Sequence, residues 1–280
     1  MRISLITVCH KSKYKIAKYV QSFLDHHNLE EDRSRYEFVF IENSGEKDFQ
    51  NAVKPLIDAG FEVLVLNSEN QGFGTGCNIG AKYAKGEMLL FVNPDIQFLC
   101  NLSALQDLYQ NISWGTVRQI TGEGSIYSID LLPEYKSFIF ESLKIYRLVN
   151  RFPGWFLKFS YVVGSYMLIS KELFNRSGGF NPSFFLYYEE AEFARRLQVL
   201  SGPPRLCAPI SVLHEGFGSQ TSHDETFRHE AEGFLTYCKV TDQPWLISKR
   251  IRTFKLLSLF SSISKKRLRV LQEVTAQRVI

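Results

Sequence analysis

The sequence predicts an α/β fold on a mostly parallel sheet, and three short apolar runs that each end in a polar turn predict it. Residues 38–41 close on Glu42-Asn43-Ser44-Gly45, residues 61–66 run into Asn67-Ser68-Glu69-Asn70, and residues 88–92 stop on Asn93-Pro94-Asp95. Apolar runs of this length, bounded by turn residues, are the pattern of parallel strands covered on both faces. Polar groups gather where these strands end, which is where open α/β sheets bind ligands.

The bulk composition bounds the rest. With 280 residues and 45% hydrophobic content, the chain can bury one large core or two small ones. A net charge of +4 falls short of what nucleic-acid binding requires, so no nucleic-acid partner is expected. Five cysteines (Cys9, Cys77, Cys100, Cys207 and Cys238) form an odd set without a Cys-x-x-Cys pair. That pattern argues against a disulfide framework or a structural zinc site and for a reducing compartment. The chain enters the apolar run 3–8 without a signal-peptide core, and no run of eighteen apolar residues exists to span a bilayer. The expected setting is cytoplasmic, soluble or peripheral on the inner face of the cell membrane.

Taken in order, residues 3–8 read as the first strand, ending at Cys9-His10-Lys11-Ser12 with His10 as a solvated loop residue. Ile16, Tyr19, Val20, Phe23 and Leu24 recur at helical spacing and predict a helix packed on the sheet. His26 and His27 at its end are adjacent on a helix and do not face one site, so they read as structural. Glu42 stands at a strand end, where a carboxylate can accept a hydrogen bond from the imide N–H of uracil or thymine. Gly72, Gly74 and Gly76 allow positive φ and a close backbone approach to a ligand. Ala81, Tyr83 and Ala84 continue a helix whose N-terminus would point at phosphate. Cys77 breaks Gly-x-Gly-x-x-Gly and no Gly-Lys-Ser/Thr follows, so the dinucleotide and P-loop readings fail on the residues themselves.

Residues 100–132 carry little signal beyond Leu102, Leu105 and Leu108 at helical spacing and a turn at Gly122-Glu123-Gly124-Ser125. The stretch 135–159 interleaves Phe138, Phe140, Tyr146, Phe152, Trp155, Phe156 and Phe159 with Lys136, Lys144, Arg147, Arg151 and Lys158. It reads as an acceptor-side or membrane-near segment, or equally as a helix covering the core. Residues 162–169 read as a strand, and Gly178-Gly179-Phe180-Asn181-Pro182 as a tight turn leading to Glu189, Glu190 and Glu192 at a helix start. On that helix Glu192 faces Arg195 and Arg196 at salt-bridge spacing. Carboxylates so crowded raise at least one pKa, which suits a general base. A further strand ends at Val212-Leu213-His214, before a loop containing Gly216, Gly218 and Ser219. Beyond Trp245, the cations Arg250, Arg252, Lys255, Lys265, Lys266, Arg267 and Arg269 alternate with Ile251, Phe254, Leu257, Phe260 and Ile263. This tail reads as an amphipathic helix on an anionic bilayer, or as a helix docked on the preceding domain.

The succession of the Glu42-Asn43-Ser44 turn, Asn70-x-Gly72-Phe73-x-x-Gly76-x-Asn78-x-Gly80 and Asn93-Pro94-Asp95 resembles family 2 glycosyltransferases of the GT-A fold. It is most similar to their rhamnosyltransferase-like branch. Gly178-Gly179-Phe180-Asn181 and the later Tyr187-x-Glu189-Glu190-x-Glu192-Phe193 extend the resemblance, which covers residues 2–239. It implies a GT-A, Rossmann-like sheet flanked by helices over residues 1–240, with a C-terminal helical extension over 241–280. The nucleotide-sugar half would occupy about 1–100 and the acceptor half about 101–240. It further implies an inverting transferase that takes dTDP-rhamnose to a polyprenyl-linked or surface-polysaccharide glycan. By the same resemblance Glu42, Asn43, Asn70, Gly72, Phe73, Gly76, Asn78 and Asn93 bind the donor. Asp95 and His214 would hold Mg2+ or Mn2+, and Glu190 would be the base, with Glu189 its competitor. One carboxylate completed by diphosphate oxygens and water suits Mg2+, which keeps few protein ligands. The chain departs from the family pattern at Glu42, Asn93 and Glu190, each of which replaces an Asp. UDP-hexose or UDP-galactofuranose as donor, and a catalytically silent nucleotide-sugar or glycolipid-binding subunit, are the rival readings.

Overall fold

The computed structural model describes residues 1–105, 113–136, 146–216 and 223–278; the expectations for Leu108, Phe138, Phe140, Lys144 and Gly218-Ser219-Gln220 lie outside them. Strands β1 (Ile3–Cys9), β2 (Tyr36–Glu42), β3 (Glu62–Asn67), β4 (Met88–Val92), β5 (Ile96–Phe98), β6 (Trp114–Thr121), β7 (Ile129–Leu131), β8 (Ser160–Val162), β9 (Tyr166–Ser170) and β10 (Arg205–His214) form two sheets. The larger has the order β3-β2-β1-β4-β9-β6-β10-β5, and β7 pairs with β8 in the smaller. Helices are α1 (Lys13–His26), α2 (Leu29–Asp32), α3 (Phe49–Asp58), α4 (Phe73–Tyr83), α5 (Tyr146–Arg151), α6 (Pro153–Phe156), α7 (Lys171–Ser177), α8 (Glu189–Ser201), α9 (His223–Val240), α10 (Trp245–Leu257) and α11 (Ser262–Arg278).

The first four strands are apolar on alternate residues in both directions because helices cover both faces. Leu5, Phe38 and Phe40 join the core under α1 and α3, while Ile6, Val39 and Ile41 join the one under α4. This is the two-residue period of a strand sampled on each face. β1 pairs in parallel with β2 and β4, and β2 with β3. The chain therefore steps outward to β3 and returns through α4 to the other side of β1, leaving a crevice at the carboxyl ends of β1 and β4.

Past β4 the sheet becomes mixed. β9 runs antiparallel to β4 and β6, β6 parallel to β10, and β5 antiparallel to β10. The single strand expected over 162–169 is two strands in different sheets, with Val163-Gly164-Ser165 crossing between them. The crossing is held by the Val163 N–H on Ser128 O (3.1 Å) and the Asn93 N–H on Ser165 O (2.9 Å). β6 lies inside the sheet despite two polar buried residues. Thr116 Oγ1 donates to Tyr166 O (2.7 Å), Gln119 Nε2 to Thr116 Oγ1 (3.1 Å), and Ser165 Oγ to Gln119 Oε1 (2.5 Å), so each has a partner. In the stretch 135–159, Val149 covers the small sheet with Ile129 and Leu131, so the core-covering alternative describes this part of the segment.

The glycine-rich stretch corrects one expectation. Of its glycines only Gly72 has a left-handed φ, +96°, and the helix begins already at Phe73. Gly76 sits inside α4, where a Cβ would come to 2.8 Å from the Val8 side chain, and one on Gly80 would collide with Ile6. At Gly76 and Gly80 the absence of a side chain seats α4 on β1.

Before α8 the backbone takes an unusual course. Tyr187 and Tyr188 have left-handed φ of +69° and +68°, a conformation that costs a bulky residue about 1–3 kcal/mol. The turn is gripped from both sides. Gly72 lies so close to the Phe185 carbonyl that a Cβ would collide with it, and a Cβ on Gly233 of α9 would collide with the Tyr187 carbonyl.

The C-terminal helices dock on α9. Leu246, Phe254, Val270, Leu271 and Val274 bury against Phe227, Ala231, Phe234, Leu235 and Cys238. Glu230 reaches Arg267 at 3.2 Å and Arg250 at 3.5 Å, and the Arg250 guanidinium lies 4.5 Å over Phe254. Of the apolar residues read as a stripe, Ile251, Phe254 and Leu257 thus face the protein, as the docking alternative requires, whereas Phe260 and Ile263 are exposed. Among the described residues no helix is long and apolar enough to cross a membrane.

His27 is buried and structural. Its Nδ1 bonds Phe23 O (2.7 Å), its Nε2 accepts the Leu102 N–H (3.1 Å), and its ring stacks on Phe23 at 3.7 Å. Burial pushes its pKa down from 6.5 to about 4. Between these values the unfolded chain binds the extra proton, so stability rises with pH across that window and is lost as pH falls through it. Denaturant titrations at pH 7 and pH 5 should show the wild type losing about 2 kcal/mol more than His27→Gln. Gly233→Ala, which drives a methyl into the Tyr187 and Leu186 carbonyls, should lose about 1–3 kcal/mol in the same assay. Gly154→Ala, whose Cβ meets nothing within 4 Å, should stay within about 0.5 kcal/mol of wild type.

Candidate active site

Two groups of titratable residues lie on either side of the Asn93 N–H to Ser165 O hydrogen bond. The first is centred on Asp95, directly after β4. Its carbonyl accepts the Glu215 N–H (3.2 Å), and the β5–β10 pairing sets Ile96 opposite His214. His214 Nε2 then stands 3.5 Å from Asp95 Oδ1, and Lys15 Nζ of α1 stands 3.9 Å from Oδ2. Both carboxylate oxygens are buried and accept no hydrogen bond. Burial alone would raise this carboxyl, but His214 and Lys15 outweigh it and hold Asp95 below the usual carboxylate range. A buried, ionised carboxylate with unpartnered oxygens beside an imidazole fits Mg2+ or Mn2+ whose other ligands come from a bound phosphate and water. Among the described residues no cluster of three or more His, Cys, Asp or Glu offers a site closed by protein alone. Lys15 carries no sequence signal of its own; only the packing of α1 beside β4 reveals it.

The second group opens α8. Glu189 is 2% exposed and its Oε2 has no partner. Burial lifts its pKa well above the ordinary glutamate value, and the neighbouring Glu190 adds to the effect. Glu190 is partly open to the crevice, with its Oε2 shielded and unpartnered. Its Oε1 lies against Gly164, where a Cβ would sit 3.3 Å away, as it would from the Phe73 ring. Burial raises Glu190 too, against the pull of backbone N–H groups and Lys136. Beside it Asp130 Oδ2 accepts from Lys136 Nζ (2.6 Å), Tyr127 OH (2.8 Å) and Tyr161 OH (3.4 Å). This polar cluster escapes a reading of the sequence, because its members belong to no motif and meet only through the small sheet.

Glu192 makes the pairing its spacing predicts, with Oε1 and Oε2 each 2.7 Å from the Arg196 guanidinium. Arg195 turns instead to Glu134.

Asn43 and Asn70 come together with His10 across the ends of β1, β2 and β3. His10 Nδ1 lies 3.0 Å from Asn43 Oδ1 and 3.4 Å from Asn70 Nδ2, and Asn43 Nδ2 donates to Asn70 Oδ1 at 3.2 Å. His10 is therefore part of a network and not the solvated loop residue expected. Glu42 stands outside it. Buried beneath its own turn, it accepts from the Ser44 N–H (2.8 Å), Ser44 Oγ (2.5 Å) and the Gly45 N–H (2.8 Å). Asn78 is likewise engaged within the fold: Nδ2 donates to Phe180 O (2.8 Å) and Oδ1 accepts the Phe180 N–H (2.9 Å). The N-terminus of α4, expected to face phosphate, meets the strained turn, where the Phe73 N–H donates to Phe185 O (3.0 Å). Phe73 itself forms the wall between the strand ends and Glu190, its ring 6.1 Å from that of Phe180. Asn93 is fixed through its backbone to Ser165 and Ile96.

Comparison with known proteins bears on the family and the fold. The sequence model of glycosyl transferase family 2 matches residues 4–178. The chain is 28% identical over 211 residues to the low-salt glycan biosynthesis hexosyltransferase Agl10 of Haloferax volcanii, a match covering 69% of this chain and 63% of that protein. It thus spans less than two thirds of that relative's length. In structure, all of the chain superposes on 81% of the mannosyltransferase PcManGT of Pyrobaculum calidifontis, solved with GDP-Man and Mn2+ (TM-score 0.58, 12% identity). It also superposes on 57% of GalNAc-T7, solved with UDP, GalNAc and Mn2+ (TM-score 0.61, 14% identity). At such identities the structural likeness speaks for the fold, which is GT-A. The family match extends over more than half of the sequence and includes the three strand-end turns: the chain belongs to glycosyl transferase family 2.

Proposed function

We propose that this chain is an inverting glycosyltransferase that moves a hexosyl group from a nucleoside diphosphate sugar to a hydroxyl of a glycan acceptor. One observation carries the reading: the turn that bears Asp95 is hydrogen-bonded to the crossing 163–165, through Asn93 N–H to Ser165 O, and Glu190 Oε1 lies against Gly164 of that same crossing, with Asp95 held acidic and Glu190 raised. Asp95 and His214 would hold a Mg2+ or Mn2+ ion, which when bound neutralises charge on the departing diphosphate.

Glu190 takes the proton of the acceptor hydroxyl as its oxygen attacks the anomeric carbon, a contribution of about 10²–10⁴-fold. Glu189, more deeply buried beside it, keeps its own proton, so the negative charge of the pair stays on Glu190. Asn43, Asn70 and His10 meet the nucleoside side, and Phe73 separates the donor from the base. Asn93 and Gly72 shape that side through the backbone, while Glu42, Gly76 and Asn78 act beneath it by holding turns and α4 in place. The aromatic rings and hydroxyls of Tyr127 and Tyr161 around Asp130 offer a surface for an acceptor sugar. The sequence resemblance supports dTDP-rhamnose as donor and a polyprenyl-linked or surface-polysaccharide glycan as acceptor. The relative, a hexosyltransferase by name, supports a hexosyl donor without choosing its nucleotide, so UDP-hexose and UDP-galactofuranose are the rival donors. Five free cysteines suit a reducing compartment, and we place the reaction on the cytoplasmic side of the membrane.

A screen of dTDP-rhamnose and UDP- and GDP-hexoses for nucleotide diphosphate release tests the activity; donor binding without turnover, acceptor present, would mark a silent binding subunit. Chelation should abolish turnover, added Mg2+ or Mn2+ should restore it, and Asp95→Ala should not be rescued by either ion. Full-rate transfer in chelator would refute the metal assignment. Glu190→Gln should lose at least about 10²-fold in kcat with donor affinity within a few-fold. Glu189→Gln mimics the protonated state and should keep substantial activity; the opposite ranking would exchange the two roles. Because only ionised Glu190 accepts a proton, kcat should fall as pH drops. The acid limb should lie above the ordinary glutamate pKa of 4.5.

A further inference from the structure

The α10–α11 hairpin carries apolar residues of two kinds. Those along its length are buried against α9, whereas those at its tip face solvent. Phe260 is 89% exposed and Leu259 72%, and Leu256 and Ile263 flank them, also exposed. Neither Leu259 nor Phe260 belongs to any hydrophobic cluster of the fold, so folding does not account for them. Around the tip stand the exposed cations Arg252, Lys255, Lys265 and Lys266, and no acidic residue occurs between Asp242 and Glu273.

We infer that this tip is a membrane contact, with Leu259 and Phe260 entering the headgroup–acyl boundary of an anionic bilayer and the surrounding cations remaining at the phosphates. Charge selects the occupant. A second copy of this chain brings the same positive tip, and the like charges repel, whereas an anionic lipid surface complements the cations and solvates the apolar side chains together. The contact is the tip of a hairpin that is docked on α9 as far as Phe254, not an amphipathic helix lying in the surface along its length. The inference deepens the reading of a lipid-linked acceptor and rests on it only for its purpose; the surface chemistry stands by itself.

The test uses the full chain and vesicles of phosphatidylcholine, with and without phosphatidylglycerol, co-sedimented at low and high salt. The wild type should bind the anionic vesicles and release at high salt. The variant L259S/F260S should bind at least about tenfold more weakly, with circular dichroism and thermal midpoint unchanged. Replacing Lys265 and Lys266 by Gln should cost roughly fivefold per charge at low salt. Wild-type protein that ignores anionic vesicles at low salt overturns the inference, as does L259S/F260S binding like wild type. Conversion of a lipid-free dimer to monomer by L259S/F260S in sedimentation velocity would assign the tip to self-association and overturn it equally. Donor turnover on a soluble acceptor is followed in parallel and should be the same in L259S/F260S. Loss of turnover in every protein with vesicle binding intact would refute the transferase reading alone.

Discussion

The close approach of α4 to the segment 180–189 is the contact on which the rest of the site depends. Asn78 closes two hydrogen bonds with the Phe180 backbone, and Gly72 admits the Phe185 carbonyl at a distance no side chain allows. These contacts join α4 to the turn that delivers the paired glutamates. On the far side Gly233 brings α9 against the same turn, so the left-handed Tyr187 and Tyr188 have nowhere to relax. Strained backbone persists only where its surroundings over-determine it. Glu189 and Glu190 consequently take their position from the main chain, and each keeps an Oε2 without a partner.

The crevice tunes its carboxylates in opposite directions by ordinary means. Asp95 is buried, yet two cationic neighbours keep it acidic. The glutamate pair is buried without an adequate cation, and mutual repulsion adds to desolvation at Glu189. Groups whose environments drive their pKa values apart are suited to divide charge binding from proton transfer. Lys136 lies close enough to Glu190 to moderate its rise, but Asp130 takes that lysine as an ion-pair partner and blunts the effect.

Much of this was legible in the sequence, and what was not has identifiable reasons. β1 to β4 announce themselves because both faces are apolar, and the strand-end turns carry enough motif to name the fold. β6 is silent because Thr116 and Gln119 are buried by hydrogen bonding, which leaves no hydrophobic period. Gly164 reads alike in a strand and in a crossing, so the division between β8 and β9 is invisible. Gly76 is small because of Val8, and Gly74 because of Phe180, a neighbour more than a hundred residues away; no local rule reports either. The tail shows the complementary limit. An apolar stripe says that something covers a helix face, not what covers it.

The hydrogen-bonded pairing of β4 with β9 has a mechanical consequence. Val92 lies opposite Tyr166, so the chain leading to Asp95 and the chain arriving from Gly164 share one edge of a continuous sheet. The structure works there like a fixed-jaw spanner: the gap between the Asp95 side and the Gly164 side is set by strand register. β7 and β8 pair outside that frame, in a sheet of their own, so its register does not fix theirs.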